Sequence, residues 1–519
     1  MRKSIKKIAA TLLAATMVLG TMATGFADEA ATEEEVVTGP VYTLVGSPEL
    51  GLDWDPAAEN LVMTQVSNSV YKFDTTATAA ADAEFKVIKD GADNAWAYQM
   101  QYGTGVFTDN ASQFKLTVAA GDVVSVYANV VTGEVVVLQN GVNAYEDLLV
   151  KWDTKSEFEG DFDTLANVMT TYVVAEDATP YSVVGAGELV GVVWDAASAF
   201  GYAVEKTGVF TKTLVATAAG DLEFKILEDG VNNAWTQQFQ YGVATRGDNK
   251  SQFKVTAEAG DVFEVTFVPA TGDVTIVKNG AIDATAQVMW DSTPEWAAES
   301  EANTWATLAD AKVNFVYADA EVTYSVVGTS DLVGLDWAAD NGAYIVAGTD
   351  GVYKKVVMAT KDSDALEFKI VQDGVDNAWA YQLQLGVAEF GDNKSQFRVA
   401  AVAGDVFEIT ITPATGDVTV TKNGEAYEYL VRWATKDEDP QDFLTKAEAL
   451  ALYVPSSKEP TTAAPTDATT AAPADATTAA PTTAANQSTK TGDVAPVALM
   501  VVLVAAVAVV SVVAKKKEA

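Results

Sequence analysis

The chain has 519 residues, of which 49% are hydrophobic, 72 are acidic and 33 are basic, so its formal net charge is −39. This charge repels nucleic-acid phosphate and anionic lipid, but it does not oppose an uncharged partner such as a neutral sugar polymer. Because the sequence contains no Cys and no His, it excludes disulfides, thiolate or imidazole metal sites, cysteine nucleophiles and Ser-His-Asp triads.

The chain begins with a segment typical of a secretory signal peptide. Four basic residues lie within the first seven positions, and an apolar stretch runs from Ile8 to about Leu19. Gly25-Phe26-Ala27 then gives a small-x-small cleavage site. We predict that residues 1–27 are removed by cleavage after Ala27, and we prefer this to the alternative of an ordinary buried helix.

One stretch recurs three times further along the chain. It reads FKVIKDGADNAWAYQMQYG, FKILEDGVNNAWTQQFQYG and FKIVQDGVDNAWAYQLQLG, and ten of its nineteen positions are identical in all copies. Each copy is preceded by YTLVG or YSVVG and by a GLDW or GVVW segment, and it is followed by DN-x-SQF, AGDV, TG[DE]V and Asn-Gly. The repeat predicts three modules, at residues 40–141, 180–281 and 323–424.

Within a copy, apolar residues recur with the period of two that is typical of strands. Phe253 and Val255 alternate with polar residues, and Phe263, Val265 and Phe267 do the same. Ala-Gly-Asp, Thr-Gly-Asp and Asn-Gly mark the turns between these runs. We predict an all-β fold in which each module is an antiparallel, immunoglobulin-like β-sandwich of six to eight short strands.

Extensions of about 40 residues follow the first two modules, and a shorter one follows the third. The sequences LLVKWDT, AQVMWDS and YLVRWAT each precede an acidic stretch rich in Ala and Leu. We predict one extra strand and then a short helix in each extension, which spans residues 142–179, 282–322 and 425–454. The Trp of each extension is predicted to pack it onto its module; these residues are Trp152, Trp290 and Trp433.

The C-terminal part of the chain indicates a stalk and an anchor. Residues 455–488 are rich in Pro, Thr and Ala, which keeps a segment extended and prevents it from forming a core. Residues 494–514 are apolar over about 21 residues, which is long enough for a membrane span. The basic tail at 515–519 is predicted to lie in the cytoplasm.

The segment STKTGD, just before the apolar run, resembles the sorting signal of Gram-positive surface proteins, which sortase cuts between Thr and Gly. Thr491 and Gly492 match that signal, whereas Ser488 and Thr489 stand where it has Leu and Pro. Two interpretations stay open, a sorting signal cut after Thr491 and a plain membrane anchor. Both place the modules on the extracellular face of a Gram-positive cell.

The polar residues kept in the repeated stretch suit a neutral sugar. A pyranose ring offers an apolar face, which a Trp can cover, and a rim of hydroxyls, which Lys, Asn and Gln can bind. Asp-Gly predicts a turn after the Phe-Lys strand and leaves the Trp at the end of a loop. Lys86, Lys225 and Lys369 follow a core Phe, so they are expected to point outward. The alternatives are that each Trp belongs to the core and that each Lys is merely solvated.

This pattern closely resembles a group of small starch-binding β-sandwich modules found beside amylopullulanase catalytic domains and in starch-capturing surface proteins of gut bacteria. The resemblance covers about 300 of the 519 residues. In the wider starch-binding domains that follow glucan hydrolases, an early Trp, a Lys, a second Trp and a later Asn line one glucan site. Carried over to this sequence, the resemblance implies Trp54, Lys86, Trp96 and Asn110 in the first module, Trp194, Lys225, Trp235 and Asn249 in the second, and Trp337, Lys369, Trp379 and Asn393 in the third.

Further candidates for these sites are Gln101, Gln240 and Gln384. The third copy has Leu385 where the others have Tyr102 and Tyr241, so its site is expected to differ in strength. A calcium site is disfavoured because the Asp-x-Asp-x-Asp-Gly spacing is absent.

The resemblance implies a non-catalytic surface protein that captures starch or related α-glucans and has surface amylases as neighbours. We expect no cofactor, no metal, no nucleic-acid partner and no enzymatic activity, since a glycosidase needs two facing carboxylates in a larger cleft. The alternative is a structural adhesin or stalk protein that binds host or neighbouring-cell proteins. An outward-facing Trp in every copy would favour the first function.

Overall fold

The computed structural model describes residues 40–89, 95–155, 161–174, 178–191, 193–196, 199–228, 234–292, 303–318, 320, 322–334, 337–339, 345–349, 351–372, 378–435 and 441–454. The chain divides into two units, Met1–Ser457 and Lys458–Ala519, and the second lies wholly outside the described residues. The predicted cleavage sites at Ala27 and Thr491, the stalk at 455–488 and the apolar segment at 494–514 also lie outside them. None of the described helices is long and apolar enough to cross a membrane.

The described part of the chain is mostly β and forms three similar modules. Each module pairs one seven-stranded sheet with one five-stranded sheet among the described residues. The predicted all-β, repeated, sandwich-like architecture is therefore confirmed, but the predicted six to eight strands per module were too few, since nine described strands lie within each of the ranges 40–141, 180–281 and 323–424.

In the first module, the seven-stranded sheet has the order β12-β11-β7-β4-β5-β6, with β1 also paired to β4, and the five-stranded sheet has the order β10-β9-β8-β3-β2. The strands are β1 (Tyr42–Gly46), β2 (Thr64–Gln65), β3 (Val70–Thr76), β4 (Ala81–Lys89), β5 (Gln99–Met100), β6 (Phe107–Thr108), β7 (Gln113–Val118), β8 (Val123–Asn129), β9 (Val135–Gln139), β10 (Val142–Asn143), β11 (Leu149–Lys151) and β12 (Asp163–Thr164), and a short helix α1 (Leu165–Val168) follows.

The other two modules repeat this pattern and add a short helix after their first strand. The second contains β13 (Tyr181–Gly185), α2 (Gly187–Val190), β14 (Val204–Lys206), β15 (Val209–Val215), β16 (Gly220–Glu228), β17 (Gln238–Phe239), β18 (Arg246–Gly247), β19 (Gln252–Ala257), β20 (Val262–Val268), β21 (Asp273–Lys278), β22 (Ala281–Ile282), β23 (Gln287–Met289), β24 (Trp305–Thr307) and α3 (Leu308–Ala311). The third contains β25 (Tyr324–Gly328), α4 (Ser330–Val333), β26 (Ala347–Thr349), β27 (Val352–Met358), β28 (Ser363–Gln372), β29 (Gln382–Leu383), β30 (Phe390–Gly391), β31 (Gln396–Ala401), β32 (Val406–Thr412), β33 (Asp417–Lys422), β34 (Glu425–Ala426), β35 (Leu430–Arg432), β36 (Leu444–Thr445) and α5 (Lys446–Tyr453).

The alternation of apolar residues decides which face of each strand meets the core. On β4, Phe85 and Val87 belong to the core of the first module, whereas Ile88 belongs to a small cluster on the opposite face of the sheet. A stacked Phe pair forms the centre of each core, with ring centroids 5.1–5.3 Å apart; the pairs are Phe85 with Phe114, Phe224 with Phe253, and Phe368 with Phe397.

The Asn-Gly pairs form the hairpin turns that the sequence predicts. Asn140 and Gly141 have φ angles of 55° and 79°, and the second and third modules have the same left-handed pair. Two successive positive φ angles define a turn whose twist matches that of the two joined strands, and Asn and Gly adopt them at low cost.

Each extension ends in a helix, as predicted, but it adds two strands to the seven-stranded sheet where one was predicted. β11 pairs with β7, β23 with β19 and β35 with β31. Thr164, Thr307 and Thr445 cap the helices by accepting a backbone N–H. Trp152, Trp290 and Trp433 pack against the cores of their own modules, which confirms their predicted packing role. Within its extension, each also stacks on an aromatic residue further along the chain; the pairs are Trp152 with Tyr172, Trp290 with Phe315, and Trp433 with Tyr453.

Candidate functional site

The two tryptophans predicted for each binding site lie side by side in all three modules. In each pair the ring centroids are 6.3–6.4 Å apart and the ring planes are tilted by 31–40°; the pairs are Trp54 with Trp96, Trp194 with Trp235, and Trp337 with Trp379. The two rings of a pair come from loops about 40 residues apart in sequence. The fold, and not local sequence, therefore brings them together.

The later tryptophan of each pair is open to solvent. Trp96, Trp235 and Trp379 have 38–39% of their surface exposed, and Trp54 has 36%. Trp194 and Trp337 are half-buried. The alternative that the repeated Trp is a core residue is therefore wrong for Trp96 and its two counterparts.

A short apolar contact holds the Trp loop on the outer face of the seven-stranded sheet. In the first module Val45, Ile88 and Ala95 are buried together on this face, away from the main core. The turn Ala95–Ala97 brings the chain back over β4, and Gln99 on β5 pairs with Ile88. Because Ala95 packs against Val45 and Ile88 on the sheet, the next side chain, that of Trp96, lies at the surface.

The early tryptophan has a strained backbone in two of the modules. Trp194 and Trp337 have φ angles of 44° and 49°, a left-handed conformation that bulky side chains rarely adopt. Their backbone N–H groups donate to the carbonyls of Gly185 and Gly328 at 3.1 Å and 2.9 Å. Strain of this kind persists only where the surrounding structure enforces it, and it occurs most often at functional sites.

The repeated lysine lies on the Trp side of the sheet, but the expectation that it faces solvent is wrong. Lys86 has only 5% of its surface exposed. Its ammonium donates to Gln99 Oε1 at 2.6 Å, to the Ala111 carbonyl at 2.8 Å and to Thr154 Oγ1 at 3.2 Å. The side chain is buried because the turn at 95–97 folds over this face, which strand alternation alone does not reveal.

A glutamine connects this lysine to the exposed tryptophan. Gln99 accepts from Lys86 and donates through Nε2 to the Trp96 carbonyl at 2.6 Å. The same Lys–Gln–Trp chain recurs through Lys225, Gln238 and Trp235 and through Lys369, Gln382 and Trp379, with every link between 2.5 and 2.7 Å. An ammonium has three donors, and each of these lysines directs all three to acceptors of the protein. The lysine therefore acts on the Trp through the glutamine, by positioning the turn that carries it.

The linking glutamine was missed by the sequence analysis. Gln99, Gln238 and Gln382 occupy one of the ten identical positions of the repeated stretch. That identity was a signal, but the partners of this side chain follow from the fold.

Burial lowers the pKa of the three lysines from its usual value to about 8. Desolvation of the ammonium is the largest cause in each module. The carboxylates of Asp153 and Asp291 partly oppose it in the first and second modules, whereas Arg432 adds to it in the third.

The predicted asparagines lie in a left-handed turn next to the lysine. Asn110, Asn249 and Asn393 have φ angles of 54–56°. The residue after each of them offers its carbonyl to the lysine, as Ala111 does to Lys86. Asn249 and Asn393 are exposed, whereas Asn110 is half-buried and its Nδ2 donates to Asp109 Oδ2 at 3.4 Å.

The prediction that Gln101, Gln240 and Gln384 bind the rim of a sugar is wrong, because all three are buried and stabilise the fold. Gln101 is buried and donates to Ser112 Oγ at 2.8 Å and to the Trp152 carbonyl at 2.6 Å. Gln240 and Gln384 make the equivalent two bonds. These glutamines tie the extension strand to the module.

The Leu at position 385 does not reach the Trp face either. Tyr102, Tyr241 and Leu385 are all buried in the cores of their modules. In the third module Tyr429 packs edge-on against Phe397, as Tyr102 does against Phe114. The ring of Tyr429 therefore replaces, inside the core, the ring that Leu385 lacks. The expected difference in strength of the third site has no basis in this position.

A further exposed aromatic residue follows the Trp in two modules. Tyr98 and Tyr381 have 48% and 46% of their surface exposed, and Gln237 occupies the same position in the second module. This position differs among the three copies, so the repeat gives no signal for it.

The arrangement offers apolar ring faces with amide and backbone groups at their edge. Such a surface suits a flat ring with polar substituents. Among the described residues, no cluster of three acidic side chains is placed to hold a metal ion.

No protein-family model matches this chain, and no curated protein sequence matches it.

Proposed function

We propose that this chain is a cell-surface, non-catalytic carbohydrate-binding protein that captures starch or related α-glucans through three similar modules. The paired tryptophans, of which the later one is open to solvent in every copy, carry the proposal. Their loop is anchored by a buried lysine and a glutamine in every copy, although the core of the module needs no exposed Trp. A surface that keeps this arrangement three times favours a repeated ligand.

The tilt between the two rings supports an α-linked glucan. A β-1,4-linked glucan is an extended ribbon, whereas an α-1,4-linked chain turns at each linkage. Two tryptophan planes inclined by 31–40° fit two sugar faces that turn relative to one another. The amides of Asn110 and its counterparts would bind hydroxyls at the edge.

The proposal includes the finer predictions from the sequence. Each module would be immunoglobulin-like, the signal peptide would direct export, and residues 494–514 would anchor the chain as a membrane helix or a sorting signal. The stalk at 455–488 would hold the modules away from the Gram-positive cell surface, near its amylases.

Binding to insoluble polysaccharides tests the proposal. The full chain, kept dispersed in a mild detergent, is mixed with granular starch and with cellulose, and the protein left in solution is measured. We expect depletion by starch and none by cellulose. No depletion by starch, or equal depletion by both, would contradict the proposal.

A further inference from the structure

We propose that the three Trp sites face away from one another on a single rigid body, so that the protein cross-links separate glucan chains. This inference rests on the proposed function and concerns the arrangement of its sites. It follows from how the five-stranded sheets of the three modules contact one another.

The first and second modules share a buried apolar contact. Val70, Tyr127 and Leu138 of the first module form one cluster with Val215 and Val262 of the second. All five residues lie on the five-stranded sheets, which therefore pack against each other through the faces that point away from their own cores.

Buried polar groups fix the register of this contact. The Lys212 ammonium lies 3.0 Å from a carboxylate oxygen of Glu134, and both side chains are nearly buried. Glu264 of the second module accepts from Ser67 and Ser69 of the first. A buried charge requires its partner, so these pairs oppose sliding of one module on the other.

The second and third modules meet in the same way at the other end of β15 and β20. Val209 and Val268 pack with Val406, and Val356 and Met358 lie against them. A buried ion cluster lies beside this contact, where the Asp273 carboxylate pairs with the ammonium groups of Lys312 and Lys355. Lys355 is the only one of these three residues that belongs to the third module.

The first and third modules also touch, which closes the arrangement. A β-carbon at Gly404 of the third module would lie only 2.6 Å from Cγ1 of Val131 in the first. Gly404 has a φ angle of 85°, so both its backbone and this close approach require glycine. Each of the three pairs of modules is therefore in contact.

The Trp sites lie on the side of each sandwich opposite these apolar contacts. They are on the outer face of the seven-stranded sheet, whereas the apolar clusters between modules are on the outer face of the five-stranded sheet. Two adjoining modules form four layers of sheet that are about 10 Å apart, so the Trp sites on the two outermost layers lie roughly 30 Å apart with protein between them.

A single short glucan chain cannot lie on both of these sites, and the gain in affinity from binding one chain at two sites is lost where the geometry forbids it. A second site must therefore bind another chain, and the partner that suits this is a branched or aggregated glucan.

Two measurements on the full chain in mild detergent test this inference. Calorimetry with maltoheptaose gives the affinity and stoichiometry of the sites, and light scattering with glycogen reports cross-linking. The matched control is the one-site variant Trp96→Ala/Trp235→Ala, which keeps only the third module's site.

We expect three maltoheptaose molecules per wild-type chain, with an affinity within about twofold of the one-site variant. Wild-type protein should produce strong scattering with glycogen at intermediate ratios and less at excess protein, whereas the one-site variant binds without scattering. One oligosaccharide per chain with at least tenfold tighter binding than the variant would overturn the inference. So would wild-type binding to glycogen without scattering. Absence of any binding would instead overturn the proposed function together with the inference.

Discussion

The Trp face of each module and its contacts with the neighbouring modules differ in how far the three copies agree. On the Trp face, Lys86, Lys225 and Lys369 are identical and make equivalent bonds. On the five-stranded sheet, the strand position that holds Phe73 in the first module holds Lys212 and Lys355 in the later ones, where each lysine pairs with a carboxylate of the preceding module. The residues that repeat build a site that every copy has, and those that vary build contacts that depend on a module's place in the chain.

The acidic residue of the Thr-Gly turn illustrates this difference. Glu134 and Asp273 each pair with a lysine of the next module. Asp417 occupies the same position in the third and last of the described modules, and it pairs with Lys446 of its own helix at half-exposed positions. The same turn thus serves an interface twice and a surface pair once.

The largest expected effect is on stability at the interface. Asp273→Asn leaves Lys312 and Lys355 buried without their carboxylate, so we expect a loss of about 3–5 kcal/mol in the free energy of unfolding. Asp417→Asn is the matched control and should cost about 1 kcal/mol or less. Urea denaturation followed by circular dichroism measures both. Equal losses in the two variants would show that the buried cluster does not hold the modules together.

The two kinds of tryptophan should separate stability from binding. Trp290→Ala removes the stacking on Phe315 and the bond from Nε1 to the Tyr241 carbonyl at 2.9 Å. We expect it to destabilise the second module by about 3 kcal/mol. Trp235→Ala, at an exposed position, should cost less than about 1 kcal/mol and reduce the number of oligosaccharides bound per chain from three to two. Thermal unfolding and calorimetry test the pair, and a large stability loss in Trp235→Ala would mean that this Trp is structural.

A smaller effect is expected from the lysine that positions the Trp loop. Lys225→Met breaks the link through Gln238 to Trp235, so we expect the affinity of the second site to fall by about 1 kcal/mol, or roughly fivefold. Lys278→Met, on the five-stranded sheet of the same module, is the control and should leave the affinity unchanged. Calorimetry in the Trp96→Ala/Trp379→Ala background, where only this site remains, gives the comparison. An unchanged affinity in Lys225→Met would show that this lysine does not position Trp235 for binding.

The smallest effect is a pH dependence of binding. Since the pKa of the three buried lysines is about 8, raising the pH from 7 to 9.5 removes one donor from each ammonium and should weaken binding about twofold.

The same titration should increase the stability of the fold while it weakens binding. The folded pKa is lower than the usual value of 10.5, so between pH 8 and 10.5 the unfolded chain binds more protons and these groups favour folding increasingly as the pH rises. Affinity electrophoresis at both pH values should therefore show weaker retardation of a folded protein, and Lys225→Met should lack this response at its site.

The sequence predicts the strands, the Asn-Gly turns and the role of Trp152 because each depends on a local pattern. It also places Lys86 on the correct face of β4. It does not reveal that this lysine is buried, because the covering turn at 95–97 is brought back by pairing between β4 and β5. Gln101 was assigned to the sugar rim for the same reason, since its partners at Ser112 and Trp152 lie up to 51 residues away.

The inter-module contacts were not predicted at all. A search for repeats emphasises what the copies share, whereas the contacts depend on residues such as Phe73 and Lys212 in which the copies differ. The contact of Gly404 with the first module could not be predicted either, because the Ala-Gly-Asp turn is by itself a sufficient reason for a glycine at this position.

The triple variant Trp96→Ala/Trp235→Ala/Trp379→Ala tests the central claim most directly. Its migration in a native gel containing amylopectin is compared with that of the wild-type chain, and circular dichroism confirms that both are folded. The account predicts strong retardation of the wild-type protein and, for the variant, migration equal to that in a gel without polysaccharide. Equal retardation of the two folded proteins would show that the paired tryptophans are not the glucan-binding surface.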